Sequence, residues 1–186
     1  MLTFDFDTFP VLETERLVLK AITMEFLDDI FRQRSRKEVM LYIARPVLQS
    51  KKEAEDLVKN YMFLYEQKIS ISWAVVLKQG ARMIGTVGYP RINKENYRGE
   101  VGYSLDPAYW GKGYMDEALG EVLKFGFEAL HFHSIEAVIH PDNRSSSKLV
   151  TRHGFQREAY FKEYTFFEGS FLDVEVYSLL SKDRKG

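Results

Sequence analysis

Cysteine is absent from the 186 residues, which removes disulfides, thiolate zinc sites and cysteine nucleophiles together and fits a reducing compartment. An excess of charge is lacking too. The formal net charge is −1, so no general attraction to DNA, RNA or anionic lipid is expected, and a phosphate-bearing ligand must be held by local geometry. No apolar run approaches a membrane span, and "MLTFDFDTFP" carries acids where a signal peptide needs bases. These features point to a cytoplasmic protein. Without repeats, low-complexity tracts or linkers, the chain reads as one domain over residues 1–186. A hydrophobic content of 45% with 28% charged residues is too apolar for disorder and ordinary for a globular fold.

What is present is a clear change of period along the chain. "ERLVLKAI" from Glu15 reads as a strand rich in branched apolar residues. "TMEFLDDIFRQR" reads as a helix with Thr23 as cap and Phe26, Leu27, Ile30 and Phe31 on one stripe. "SKKEAEDLVKNYMFLYEQ" opens with Ser50 and has Glu53 three residues on, the spacing of a capping box. "SISWAVVL", "ARMIGTVGYP" and "RGEVGYSLD" then alternate as three strands of an antiparallel meander. The helix "DEALGEVLKFGFEAL", the strand "SIEAVIH", the short helix "NRSSSKLVTRHGF" and two aromatic strands complete the order. A mixed α/β fold follows, a mostly antiparallel twisted sheet flanked by helices, with one βαβ unit around a glycine turn.

That turn, "WGKGYM", sits where a helix must begin. A helix start offers unpaired N–H groups and the positive end of the dipole, and glycine lets consecutive amides form one concave anion nest. Lys112 adds charge at its rim. Spacing alone also allows a plain tight turn, with Asp116 and Glu117 answering the dipole. The turn is neither a Walker loop nor the three-glycine dinucleotide fingerprint.

"GEVGYSLDPAYWGKGYMDEAL" resembles the acetyl-CoA-binding motif of the GNAT acetyltransferase superfamily, in particular its RimJ/RimL-like branch of ribosomal-protein N-terminal acetyltransferases. "HPDNRSSSKLVTRHGF" is similar to the branch's next motif, "LETERLVLKAI" to its first strand and "FLDVEVYSLL" to its last. Trp110 and Met115 depart from the superfamily's general signature, whereas Gly111-Lys112-Gly113 is intact. The resemblance implies the GNAT fold, acetyl-CoA as cosubstrate, and a peptide N-terminus or small amine as acceptor. A homodimer is compatible with it; nucleic acid, membrane and metal are not expected partners.

Carried over by position, the amides of Gly111, Lys112, Gly113, Tyr114 and Met115 would hold the pyrophosphate. Leu105 would pair with the pantetheine arm through its main chain and polarise the thioester carbonyl with its N–H. Asn143 would cap its helix and contact the cofactor arm. Amine acetylation needs a neutral nucleophile and a protonated leaving thiol. The resemblance implies Glu100 as base; alternation puts it on one face with Gly102 and Ser104, with space above Gly102. It implies Ser146 as acid, with Tyr160 or Tyr164 as substitutes. His131 and His133 are two apart, but no convergent carboxylate accompanies them. A small-molecule amine acetyltransferase, a non-catalytic acyl-CoA-binding module and a nucleotide-binding protein are the competing readings.

Overall fold

Alternation of apolar side chains lays down the sheet, and the computed structural model describes Leu2 and residues 8–184. Most of the N-terminal stretch "MLTFDFDTFP" lies outside the described residues. The strands are β1 (Leu12–Glu13), β2 (Leu17–Ala21), β3 (Ile71–Leu77), β4 (Met83–Asn93), β5 (Arg98–Leu105), β6 (Ser134–Ile139), β7 (Gln156–Phe167) and β8 (Ser170–Leu180). They form one sheet in the order β1-β2-β3-β4-β5-β6-β8-β7. Every neighbouring pair is antiparallel except β5 and β6. That pair is the βαβ unit expected around the glycine turn.

The helices are α1 (Leu27–Arg34), α2 (Lys37–Met40), α3 (Lys51–Glu66), α4 (Tyr114–Glu128) and α5 (Arg144–Arg152). The Ser50 side chain accepts from the Glu53 N–H at 3.3 Å, as the capping pattern predicts, but the Glu53 carboxylate reaches the Gln49 N–H instead of Ser50's own. Thr23 does not cap: its side chain makes no cap hydrogen bond, and a 3₁₀ turn over Met24–Phe26 leads into α1. The four-residue α2 and two-residue β1 are additions to the sequence reading, both too short to show a period.

Two apolar layers sandwich the sheet. On one face α4 seats Ala118, Leu119 and Val122 against Trp73, Val87, Tyr89, Val101 and Ile135. On the other, α1 and α3 bring Ile30, Ala54 and Val58 over Ala74, Val76 and Met83. Burying a side chain of this size is worth about 1.5–3 kcal/mol, so these two layers fix which face each helix turns to the sheet. Tyr89 is fully buried and donates to the Val122 carbonyl at 2.8 Å, locking α4 to β4.

Candidate active site

Two interruptions of the sheet create the site. The first is a bulge: between the pairs Gly88↔Gly102 and Arg91↔Glu100, Tyr89 and Pro90 of β4 oppose the single Val101 of β5. It sets Arg91 directly opposite Glu100. The second is the early end of the parallel ladder. β5 and β6 pair only at Arg98↔Ser134, Gly99↔Ile135 and Glu100↔Glu136, after which the strands part. Beyond Glu100, β5 keeps β4 on one side but, among the described residues, has no strand on the other.

Main-chain donors in that gap follow from strand alternation. The Asp106 N–H turns to β4, donating to the Ile84 carbonyl at 2.8 Å, so the Leu105 N–H faces the gap. The Leu105 carbonyl, which faces the same way, is taken by the Trp110 indole N–H at 2.8 Å. The Leu105 amide is left as the open donor on that side.

At the mouth of the gap, Gly111 and Gly113 have φ of +71° and +79°, the left-handed region that L side chains enter at a cost. Gly113 is the N-cap of α4 and offers no side-chain cap. The helix's first main-chain bond is Glu117 N–H to Gly113 O, 3.1 Å, so the amides of Tyr114, Met115 and Asp116 precede it as open donors. The acidic side chains of the first turn do not fold back on them. Glu117 accepts from the Arg16 N–H at 2.8 Å and the Arg16 guanidinium at 2.6 Å, and from the Thr14 hydroxyl. Burial would raise this carboxyl, but those hydrogen bonds outweigh it and hold the group below its usual range. Asp116 leans toward Arg152 and His153, each 3.3 Å away. Arg16 also donates to the Lys112 carbonyl at 3.0 Å and lies over the Tyr114 ring, bracing the turn from behind. The Lys112 ammonium is turned to the Ala108 carbonyl, 2.8 Å. Met115 is buried in the core, which leaves its amide unobstructed by its own side chain.

Acid and base candidates flank the gap from opposite faces. Val101 and Leu105 face the α4 side, so Glu100, Gly102 and Ser104 face away from it. The Glu100 carboxylate is 14% exposed and holds the Arg91 guanidinium, whose Nη1 lies 2.7 Å from both oxygens. The space expected over Gly102 is partly filled: a Cβ there would stand 3.2 Å from the Pro90 ring. On the α4 face, Asn143 caps α5 by accepting the Ser146 N–H at 3.2 Å. The Ser146 hydroxyl donates to the Tyr103 hydroxyl at 3.0 Å. Burial pushes the Tyr103 phenol up to about 12, with the Ser146 bond pulling slightly the other way. Tyr103 is a residue the sequence reading missed; its place one position from Gly102, on the opposite face of the same strand, was the available signal. Tyr160 donates to Asp173 and Tyr164 stacks on Phe161 at 5.4 Å, so the phenol beside Ser146 is neither of them. Among the described residues, no three His, Asp or Glu side chains gather so as to hold a metal ion, and no helix is long and apolar enough to cross a membrane.

Known proteins resemble this chain in sequence and in fold. Residues 16–156 match the family described as "Acetyltransferase (GNAT) domain". The chain is 33% identical to the uncharacterized N-acetyltransferase YoaA of Bacillus subtilis, over 92% of this chain and 97% of that one. It superimposes with a TM-score of 0.81 on the crystal structure of ribosomal-protein-S5-alanine acetyltransferase from Vibrio fischeri, 27% identical, covering 95% of this chain and all of that one. RimL, the ribosomal L7/L12 α-N-protein acetyltransferase, solved with coenzyme A, gives a TM-score of 0.83 at 19% identity over 92% of this chain and 98% of that one, a likeness of fold alone. Sheet order, parted strands, glycine-lined helix mouth and sequence match converge: the chain belongs to the GNAT family of N-acetyltransferases.

Proposed function

We propose that this chain transfers an acetyl group from acetyl-CoA directly to a primary amine, and that the acceptor is the N-terminal α-amine of a protein, as the names of the ribosomal-protein relatives suggest. The observation that carries the reading is the gap beyond Glu100↔Glu136, with a carboxylate on one face, a hydroxyl pair on the other and an uncapped helix mouth at its end. An open row of main-chain donors at a helix start with left-handed glycines fits a diphosphate. The amides from Gly111 through Met115 would hold it, and the Leu105 N–H would meet the pantetheine end. Acetyl-CoA supplies an acyl group already activated as a thioester.

The chain's own residues would do the rest. Glu100 accepts a proton from the ammonium form of the acceptor; an α-amine, with a pKa of about 7.7–8.0, yields it more readily than a lysine at about 10.4. The Leu105 N–H, facing the gap where the β5–β6 ladder has ended, stabilises negative charge developing on the carbonyl oxygen. Ser146, positioned by Asn143, would turn its O–H from Tyr103 to hydrogen-bond the leaving sulfur. Its cysteine-free composition supports a cytoplasmic place for the reaction.

Thiol release from acetyl-CoA is the test, with peptides bearing N-terminal alanine or serine, spermidine and an amino sugar as acceptors. Turnover on the peptides is the expected result; binding of CoA without turnover on any amine would make the chain an acyl-CoA-binding module. Glu100→Gln should lower kcat about 10²-fold or more with CoA affinity unchanged, and an unaltered pH–rate profile in that variant would remove Glu100 as base.

A further inference from the structure

Glu100 does not stand alone. Glu136 is its register partner across the last rung of the β5–β6 ladder, and the two side chains share the face away from α4, because Ile135 and Ala137 face α4. Strands in a sheet lie about 4.8 Å apart, so the two carboxylates are immediate neighbours. Like charges placed so are unfavourable without cations between them. The structure supplies two. Arg98 lies 3.3 Å from Glu136 and is anchored by the Ser134 hydroxyl at 2.9 Å. Arg91 lies on Glu100, but its side chain is 71% exposed.

These groups line an open concavity of about 610 Å³. Its charged lining is Glu95, Glu100 and Glu136 against Arg91, Lys94 and Arg98, three acids and three bases. The lining is therefore balanced only while Arg91 is in place, and removing that one guanidinium leaves a single excess negative charge. Because the Arg91 side chain is mostly exposed, it can return to water when another cation takes its place on Glu100. An alkylammonium, with three donors, matches both the missing charge and two adjacent carboxylates.

We propose that Glu136 and Glu100 together form the seat for the acceptor's ammonium, and that Arg91 is a built-in cation that fills this seat and is displaced by the acceptor. The seat takes an amine that carries its positive charge on the reacting nitrogen, and it selects against amines that are neutral at pH 7. Burial, reinforced by Glu100 and opposed by Arg98, raises the Glu136 carboxyl, which is consistent with a carboxylate kept near its neighbour under strain of charge. The inference rests on Glu100 being the base of the acetyl transfer proposed above.

The experiment is steady-state acetylation of an N-terminal-alanine pentapeptide amide by wild type, Glu136→Gln, Arg91→Ala and Glu100→Gln, with CoA affinity measured separately for each. Glu136→Gln should raise the peptide KM about tenfold, with the larger part of the change in KM and not in kcat. Arg91→Ala, at an exposed position that does not threaten the fold, should lower the peptide KM several-fold. CoA affinity should be unmoved in both. An unchanged KM in Glu136→Gln, or a raised KM in Arg91→Ala, overturns the seat even if Glu100→Gln has lost its turnover. Full kcat in Glu100→Gln overturns the underlying base assignment instead, so the two failures are distinguishable.

Discussion

Replacing Gly126 by alanine should destabilise the protein although alanine is the better helix former. Gly126 lies in α4 directly over Tyr89, where an added Cβ would stand 2.2 Å from the phenolic oxygen, 2.8 Å from the ring carbon bearing it and 3.1 Å from Ile135. Tyr89 cannot withdraw, since it is fully buried, packs edge-on against Phe132 and is bonded to the Val122 carbonyl. The helix gains about 1 kcal/mol from the substitution. Against this stand about 2 kcal/mol for forcing a methyl into a packed interior and about 1 kcal/mol for the strained or broken Tyr89 bond. The net loss is about 2 kcal/mol, or about 4–8 °C in Tm for a chain of this size. Denaturant or thermal melting measures it, and CoA affinity should fall as well, because α4 carries the mouth of the site. A Gly126→Ala variant as stable as wild type would refute the claim that α4 is seated through this contact.

Other outcomes follow from the same structure. Gly113→Val should weaken CoA binding by at least tenfold in calorimetry, because φ of +79° is strained for a β-branched residue and the new side chain meets Arg16; unaffected binding would put the phosphates elsewhere. Tyr103→Phe strips Ser146 of its hydroxyl partner and should lower kcat about three- to tenfold with CoA affinity intact; wild-type kcat would detach this pair from the chemistry. Glu117, its folded pKa held low by Thr14 and Arg16, contributes stability that is present above its unfolded value of about 4.3 and is lost as pH falls through the lower folded value. Wild type should therefore exceed Glu117→Gln in urea stability at pH 7, and the difference should vanish at strongly acid pH; a gap that persists there would refute the linkage.

Local patterns were legible wherever a period or a cap ran over enough residues. The β3–β4–β5 meander, α3 with its Ser50 cap, α4, and α5 between Asn143 and Gly154 all appear where alternation, capping and glycine place them. The glycine turn at the head of α4 was legible for the same reason. Partners brought from afar were not. Arg16 braces the turn through a residue 101 positions away, and Tyr103 meets Ser146 across 43, distances over which composition carries no signal. Arg91 sits opposite Glu100 only because β4 carries one extra residue at its bulge, so simple alternation misses the pairing. Glu136 is aligned by the parallel register, which depends on how α4 returns the chain. Gly102 shows the converse: its missing side chain suggested room, and Pro90 from the same bulge occupies part of it.

The three-rung ladder between β5 and β6 has a mechanical consequence. Eight strands share one sheet, yet its two halves are spliced by so short a seam that whatever lodges between the parted strands takes the place of the missing rungs. A molecule bound there would act as a tie across this seam. Amide hydrogen exchange should therefore slow along residues 101–105 when the gap is filled, while the β2–β3 ladder, far from the seam, keeps its rate.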